Sequence, residues 1–380
     1  MAEAELTSNS IGRGGRDSFV DILKGIGIIS IVVGHSSPGV IPFLNFKIGT
    51  FVYGYHIMIF MFVMGFLFKK SEDLTPFKYV GKTVVGLGKL YFLYSVIFIL
   101  LHNTFLKLNM ISAIELPNAD SIGVAILSAL PFNSGETLMG AMWFVPMYII
   151  AAIVFAILFY TAERSRCPML LHALFIMVTM TVGIMMHNNP PYYLYHFQTS
   201  ILAVPICYLG YITKRYWSTV SKCVTWYGGL ICAVALYFLV TSHLGQIELA
   251  ANMIIRPHLF YPATVLGIYY CLSLAKVLAA FRYTDSLFSY IGRNSFHIMA
   301  LHFVAIKLVD IIYGAITKAA PEVVSGFPFA FNLWYIYYPI GVFLPLGIIE
   351  LLKITKKYLL IGCTKLNSLL EQRLQIRRSR

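Results

Sequence analysis

Long apolar runs recur along the whole chain, separated by short loops rich in lysine, arginine, glycine and proline. A helix needs about 20 mostly apolar residues to cross a membrane. By that length the sequence contains about ten candidate membrane helices, which predicts an all-α integral membrane protein. The predicted spans are residues 19–37, 51–68, 83–102, 141–160, 169–186, 197–212, 223–242, 259–281, 287–313 and 333–352.

The composition supports this class. Hydrophobic residues make up 58% of the 380 residues and charged residues 12%, and the mean hydropathy is +0.75. An ordinary soluble domain has about twice that charged fraction. A net charge of +13 would otherwise indicate nucleic-acid binding. Most of the lysines and arginines, however, lie on one side of the predicted spans, which is the positive-inside pattern of membrane proteins.

The same charge pattern predicts the orientation. With an even number of spans, both termini lie in the cytoplasm. We predict a cytoplasmic N-terminal tail over residues 1–18, a transmembrane domain over 19–354 and a basic cytoplasmic tail over 355–380. No small-residue cleavage site follows the N-terminal tail, so we predict no signal peptide. From Lys365 the chain is predicted to form an amphipathic helix on anionic membrane lipid.

The first predicted span carries Asp21, Lys24 and His35 in an otherwise apolar run. Ionisable side chains are rare and usually functional inside a bilayer. At about 100° per residue Lys24 and His35 lie on one helical face, roughly 16 Å apart along the axis, and Asp21 pairs with Lys24 one turn away. This spacing suits the phosphates and the acyl end of one long acyl carrier. In the competing interpretation Lys24 extends to the headgroups and His35 caps the helix.

Two further histidines are expected close to His35. In the predicted orientation His35 and His56 lie at the external ends of the first two spans, and His302 lies in the external half of the ninth. No carboxylate is spaced with them as a ligand, and the six cysteines show no paired spacing. We therefore predict a base with hydrogen-bonding partners and no metal site.

Four blocks in the first, second, fourth and ninth predicted spans form a recognisable set. They are Asp21-Ile-Leu-Lys24-Gly with His35 downstream, the run from His56 to Phe68 that contains Gly65, Trp143-Phe-Val-Pro, and Ile291-Gly-Arg-Asn294-Ser295 leading to His302. Together they resemble the membrane-bound acyltransferase 3 family, and within it the fucose 4-O-acetylase-like branch. A basic residue, ten intervening residues and a histidine form the hallmark of that family.

The resemblance implies transfer of an acyl group, usually acetyl from cytoplasmic acetyl-CoA, to a sugar hydroxyl at or beyond the outer face. It implies that His35 is the catalytic histidine and that Lys24 is the basic residue, which is more often arginine. Two departures are present. Met64 stands where a serine is common, and Lys78 and Lys82 stand where an arginine pair is typical.

A sugar hydroxyl is a poor nucleophile, so a base must take its proton during attack on the thioester, and fixed donors must stabilise the oxyanion. We predict His35 as the base, with Lys24 and Asp21 completing the catalytic stripe. The predicted substrate-binding residues are His56, Trp143, Asn294, Ser295 and His302. In the competing interpretations Trp143 is an anchor at the membrane interface and Asn294-Ser295 start a helix. The predicted acetyl-CoA mouth consists of Lys24, Lys69, Lys70, Lys82, Lys89 and Lys276, although ordinary positive-inside charge is a competing explanation for each lysine.

The predicted function is O-acetylation of a cell-surface glycan, such as O-antigen or capsule, or of its lipid-linked precursor, in the bacterial inner membrane. The predicted partners are acetyl-CoA as acyl donor, the glycan acceptor and membrane lipid, without nucleic acid or metal. A transporter or flippase for polysaccharide or lipid-linked sugar is the main alternative, and it favours broken helices and internal repeats. A non-catalytic or sensory protein on the same scaffold is a third possibility, which the intact first block argues against.

Overall fold

The computed structural model describes residues 11–12, 16–36, 46, 48–69, 75–188, 194–241, 247–326 and 333–378, with side chains described up to residue 359. Almost all of this part of the chain is helical. The α-helices are α1 (Ser18–Ser36), α2 (Ile48–Tyr53), α3 (Met58–Leu67), α4 (Pro76–Lys107), α5 (Ala119–Ala129), α6 (Phe144–Glu163), α7 (Pro168–Met185), α8 (Phe197–Arg215), α9 (Trp217–Cys223), α10 (Trp226–Leu239), α11 (Phe260–Ala279), α12 (Arg282–Arg293), α13 (Ser295–Thr317), α14 (Pro321–Ser325) and α15 (Trp334–Arg378).

Short 3₁₀-helices and two-residue strands lie between several of these helices. The 3₁₀-helices are Thr137–Trp143, Leu194–His196, Leu249–Ala251 and Pro257–Leu259. The strands form two antiparallel pairs, β1 (Ile11–Gly12) with β2 (Arg16–Asp17) and β3 (Ile247–Glu248) with β4 (Met253–Ile254).

In the described residues, eight helical segments are long and apolar enough to cross a membrane, or nine if the bent pair α9 and α10 forms one span. The predicted all-α membrane class is confirmed, with eight or nine candidate spans where the sequence indicated about ten. With the bent pair counted as one span, the predicted span that is missing from the count is α8. It has nineteen residues, but Gln198, Thr199 and Ser200 lower its hydropathy, and these three side chains are buried in protein.

The ninth predicted span, residues 287–313, is two helices instead of one. Helix α12 ends at Arg293 and α13 begins at Ser295. Between them, the Asn294 side-chain amide donates a hydrogen bond to the Tyr290 carbonyl oxygen at 2.9 Å. The Tyr290 carbonyl is one of the groups that have no hydrogen-bond partner within the helix at its C-terminal end, and the Asn294 amide supplies that partner. The tenth predicted span continues beyond residue 352, because α15 runs unbroken to Arg378.

The first two spans form the interior of the bundle. In α1, 67% of the most apolar stretch is buried, and in the segment Ile48–Leu67 the value is 72%. For α7 it is only 11%. A helix that is apolar all round and buried in protein belongs to the core, and one that is apolar and uncovered faces lipid. The polar groups of α1 therefore lie inside the protein.

Helix α1 crosses α12 at two glycines, near the Lys24 end. A Cβ atom added at Gly25 would overlap the carbonyl oxygen of Phe288, and one added at Gly292 would overlap the carbonyl oxygen of Asp21. Only glycine allows two helix backbones to approach this closely. The crossing therefore fixes the part of α1 that carries Asp21 and Lys24.

A second glycine crossing joins α3 to α8. A Cβ atom at Gly65 would overlap the carbonyl oxygen of Cys207, and one at Gly210 would overlap that of Phe62. Gly65 belongs to the second sequence block described above. Its requirement is one of packing, since the small residue brings α8 against the core helix α3.

Candidate active site

The polar stripe predicted on α1 begins with an ion pair. Lys24 Nζ lies 2.8 Å from Asp21 Oδ1, with the lysine side chain 19% exposed and the aspartate 2%. Asp21 is in the first turn of α1, where the helix dipole favours a negative charge. The pair therefore holds a positive charge at one end of the helix, in a largely buried position.

His35 lies at the other end of α1, about 16 Å further along the axis. Its ring centroid is 5.4 Å from that of His302 and 5.0 Å from that of Phe303, which meets it edge-on. The Tyr53 ring is 6.5 Å away. Within the described part of the chain, the contacts recorded for the His35 ring are with these three rings, and the ring also lines a cavity.

His302 is held in one tautomer. Its Nδ1 lies 2.9 Å from the Met299 carbonyl oxygen and 3.1 Å from that of Ile298. Since carbonyl oxygens only accept, we assign the proton to Nδ1 and a lone pair to Nε2. The side chain is fully buried, and its Nε2 has no hydrogen-bond partner among the described residues.

His56 has the same arrangement on another helix. Its Nδ1 lies 3.0 Å from the Val52 carbonyl oxygen, which places the proton there and leaves Nε2 as an acceptor. The ring is buried and packs against Tyr53, with 4.6 Å between centroids. A neutral His56 therefore has no N–H group left to donate to an oxyanion. His56 can bind a substrate only as an acceptor, through Nε2.

His35 and His56 line a small cavity at this end of α1, whereas His302 packs behind His35 and is not part of the lining. The cavity has a volume of about 20 Å³. That is room for about one water molecule. The half-buried Trp143 lies in its wall and packs on His196, with 4.5 Å between ring centroids. The lining consists of His35, Tyr53, His56, Trp143 and Glu248 together with the apolar residues Ile31, Ile57, Ala141, Phe144 and Met299.

A larger pocket lies at the Lys24 end. It has a volume of about 230 Å³ and is lined mainly by apolar and aromatic side chains, with Lys24 and Ser295 among the few polar ones. Two residues, Phe144 and Met299, line both this pocket and the His35 cavity. The Lys24 end and the His35 end of α1 therefore face two neighbouring cavities, and Phe144 and Met299 form part of the wall of both.

The remaining predicted binding residues are distributed differently. Ser295 starts α13 and lines the Lys24 pocket, whereas the Asn294 amide is used at the end of α12. Lys276 donates to the carbonyl oxygens of Ser221 and Val224, both at 2.8 Å, so it satisfies acceptors at the end of α9.

The other lysines of the predicted acetyl-CoA mouth lie on the surface. Lys69, Lys82 and Lys89 are exposed, and Lys70 falls outside the described residues. None of the three described lysines lines the Lys24 pocket. Among the predicted lysines that the structure describes, Lys24 alone faces a cavity of this site.

Two residues of the site were not predicted from the sequence. Glu248 and Tyr53 both line the His35 cavity, and the Tyr53 hydroxyl donates a hydrogen bond to the Glu248 carboxylate. Burial raises the pKa of Glu248, while hydrogen bonds from Ala250 and Tyr53 act in the opposite direction. Glu248 lies in a short loop, where no periodic pattern of apolar and polar residues marks it in the sequence. Only folding brings it close to His35.

Comparison with known proteins adds a family match. The family model for acyltransferase 3 proteins, described as an acyltransferase domain, matches residues 17–350. This stretch includes both cavities and every site residue named above. No curated protein and no solved structure matches the chain.

Proposed function

Since the chain belongs to the acyltransferase 3 family, we propose that this membrane acyltransferase moves an acetyl group from acetyl-CoA to a hydroxyl group of a glycan. The acceptor is a surface polysaccharide or its lipid-linked precursor, in line with the fucose 4-O-acetylase-like motifs of the sequence. The protein works in the bacterial cytoplasmic membrane, with both termini in the cytoplasm. Acetyl-CoA then enters from the Lys24 end of α1, and the glycan enters from the His35 end.

The observation that carries this proposal is the pair of cavities along α1. An apolar pocket with one cation suits a flexible acyl carrier with an anionic end, because the cation binds the anion and the walls bind the chain. Phe144 and Met299 separate this pocket from the His35 cavity. A thioester that passes between these two side chains reaches the imidazole.

The chemistry then uses His35 as a general base. Neutral His35 takes the proton of the acceptor hydroxyl while the hydroxyl oxygen attacks the thioester carbonyl carbon. The tetrahedral intermediate collapses, the carbon–sulfur bond breaks, and the CoA thiolate receives the proton from His35. Trp143, whose indole N–H is a donor only, is the candidate oxyanion donor in the lining of the cavity.

The experiment is an acetyl-transfer assay with His35→Ala in membranes that contain the full-length protein, labelled acetyl-CoA and a candidate glycan. We expect transfer to fall about 100-fold or more, the usual contribution of a general base. His258→Ala is the matched control, since His258 is exposed and lines neither cavity. Glycan acetylation at the parental rate in His35→Ala would refute the mechanism.

The bent pair α9 and α10 bears on the transporter alternative. The two helices meet at 72°, and broken helices in transporters leave backbone groups free for substrates or ions. Here the carbonyl oxygens at the break are bonded to protein. Tyr269 Oη donates to Cys223 at 2.6 Å, Ser273 Oγ to Thr225 at 2.8 Å and Lys276 Nζ to Val224 at 2.8 Å. This favours the enzyme.

A further inference from the structure

Among the residues that the structure describes, Glu248 supplies the one carboxylate in the lining of the His35 cavity. It lies in β3, outside the candidate spans, and its side chain is half-buried. The Tyr53 hydroxyl donates to it, and the Tyr53 ring is a neighbour of both histidine rings, with its centroid 6.5 Å from that of His35 and 4.6 Å from that of His56. The carboxylate and the base therefore belong to one small enclosure.

The chain around Glu248 is built to hold this carboxylate in place. Strands β3 and β4 pair Glu248 with Met253, and the turn contains Asn252 with φ 53°, a left-handed conformation that asparagine tolerates better than most residues. The Asn188 amide group clamps the hairpin, accepting from Ile254 N at 2.8 Å and donating to the Ile254 carbonyl oxygen. A second amide bond runs from Asn252 Nδ2 to the Met186 carbonyl oxygen at 3.2 Å.

This clamp ties the hairpin to the end of α7 and removes most freedom from the Glu248 backbone. A preorganised carboxylate in a partly enclosed site is a strong acceptor for hydroxyl groups, and it repels another negative charge there. The Glu248 carboxylate itself accepts from the Ala250 N–H in the hairpin and from the Tyr53 hydroxyl. A carboxylate has about four acceptor positions on its two oxygens, so it retains capacity for a hydroxyl group of a substrate.

We propose that Glu248 is an acceptor-binding, specificity-determining residue: its carboxylate accepts a hydrogen bond from a second hydroxyl of the acceptor and excludes acidic sugars from this subsite. The inference rests on the proposed acyl transfer and narrows its acceptor to neutral or amino sugars at the reacting position. Glu248 and His35 line the same cavity, which has room for about one water molecule. The sugar ring therefore stays outside it and presents only its hydroxyl edge, one hydroxyl to the base and the neighbouring hydroxyl to Glu248.

The test uses the full-length protein in proteoliposomes with acetyl-CoA and two probes, methyl α-L-fucoside as the neutral sugar and methyl β-D-glucuronide as the acidic one. For the parental protein we expect a kcat/KM on the neutral probe at least about tenfold above that on the acidic probe. Glu248→Gln keeps the size and an acceptor oxygen but loses the charge, so the ratio is expected to fall to within about threefold of unity. The KM for acetyl-CoA stays unchanged.

Glu115→Gln is the matched control, because Glu115 is exposed and the same chemical change there leaves the ratio as it was. Parental transfer with an unchanged ratio in Glu248→Gln overturns this inference alone. An equal fall of kcat on both probes with a shifted pH profile also overturns it, since Glu248 then acts through His35. No transfer by the parental protein to either probe overturns the inference and the proposed function together.

Discussion

The two ends of α1 face very different spaces. The pocket at Lys24 has about 230 Å³ and mostly apolar walls, whereas the cavity at His35 has about 20 Å³ and a lining in which half of the residues are histidine, tyrosine, tryptophan or glutamate. A wide apolar pocket accommodates a flexible chain, and a tight polar one orients a single functional group. This difference fits the proposed function, in which the Lys24 end binds the carrier and the His35 end carries out the chemistry.

The two ends are also held by different interactions. At the Lys24 end, glycines bring the backbones of α1 and α12 into direct contact. At the His35 end, the contacts are between side chains, mainly aromatic and imidazole rings from α2, α13 and the segment around Trp143. Backbone contacts tolerate no added atom, while ring contacts tolerate substitution better. Changes near Lys24 should therefore affect folding first, and changes near His35 should affect catalysis first.

The largest effect is expected for Gly292→Ala. In an open helix position this change stabilises by about 1 kcal/mol, but here the new Cβ atom would overlap the Asp21 carbonyl oxygen. We expect a loss of about 3 kcal/mol or more, because neither backbone can move away. Thermal unfolding of the purified protein measures this loss of stability.

Gly81→Ala on α4, where a Cβ meets nothing within 4 Å, is the control and should be neutral or stabilising. Similar melting of both variants would contradict the glycine crossing.

The next effect tests the wall between the two spaces. In Met299→Trp the larger ring is expected to close the passage beside Phe144, so acetyl transfer should fall about 100-fold, the effect of misplacing a reacting group by about 1 Å. The KM for acetyl-CoA should change little, since Lys24 is untouched. Met177→Trp is the control, because Met177 is 59% exposed on α7. Undiminished turnover in Met299→Trp would mean that the carrier reaches His35 by another route.

A tenfold effect is expected at the cation. Lys24→Gln removes the positive charge from the wide pocket, and a charged hydrogen bond contributes about 1.5–3 kcal/mol, so the KM for acetyl-CoA should rise at least about tenfold. Steady-state kinetics at saturating acceptor measures this. Lys24→Arg should restore the KM, and Lys89→Gln, which removes an exposed charge, should leave it unchanged. A fall in kcat without a change in KM would place Lys24 in the chemistry instead of in carrier binding.

Most of the fold could be predicted because each span is a local apolar pattern. The break at Asn294 was indicated only by the Asn294-Ser295 pair as an alternative helix start, inside a run that reads as continuous, and its side-chain bond to Tyr290 appears only in the folded chain. Helix α8 itself was predicted, over 197–212, but its burial inside the bundle was not. Its polar residues are tolerated only because neighbouring helices cover them, and burial by other elements leaves no mark in the segment itself.

Part of the site followed from helix geometry alone. The eleven-residue spacing of Lys24 and His35 fixes their common face without any knowledge of the rest of the chain. Glu248 reaches the His35 cavity, and Met299 reaches both cavities, from segments distant from α1 in the sequence, so no local pattern indicates them. Lys276 shows the opposite case, because a basic residue near a span end looked like a ligand group and bonds instead to the carbonyl groups at the end of α9.

The smallest effect concerns pH and separates the two ends once more. Burial raises the pKa of Glu248 above 4.5, so the folded protein binds this proton more tightly than the unfolded chain. The resulting stabilisation is present at low pH and is lost as the pH rises through the folded-state pKa. The parental protein should therefore melt slightly higher at pH 5 than at pH 7, relative to the same difference in Glu248→Gln, which has no group to titrate there. An identical pH difference in the two proteins would mean that the carboxylate is as well solvated in the cavity as in the unfolded chain, and the enclosed polar cavity would then differ from the wide apolar pocket in size alone.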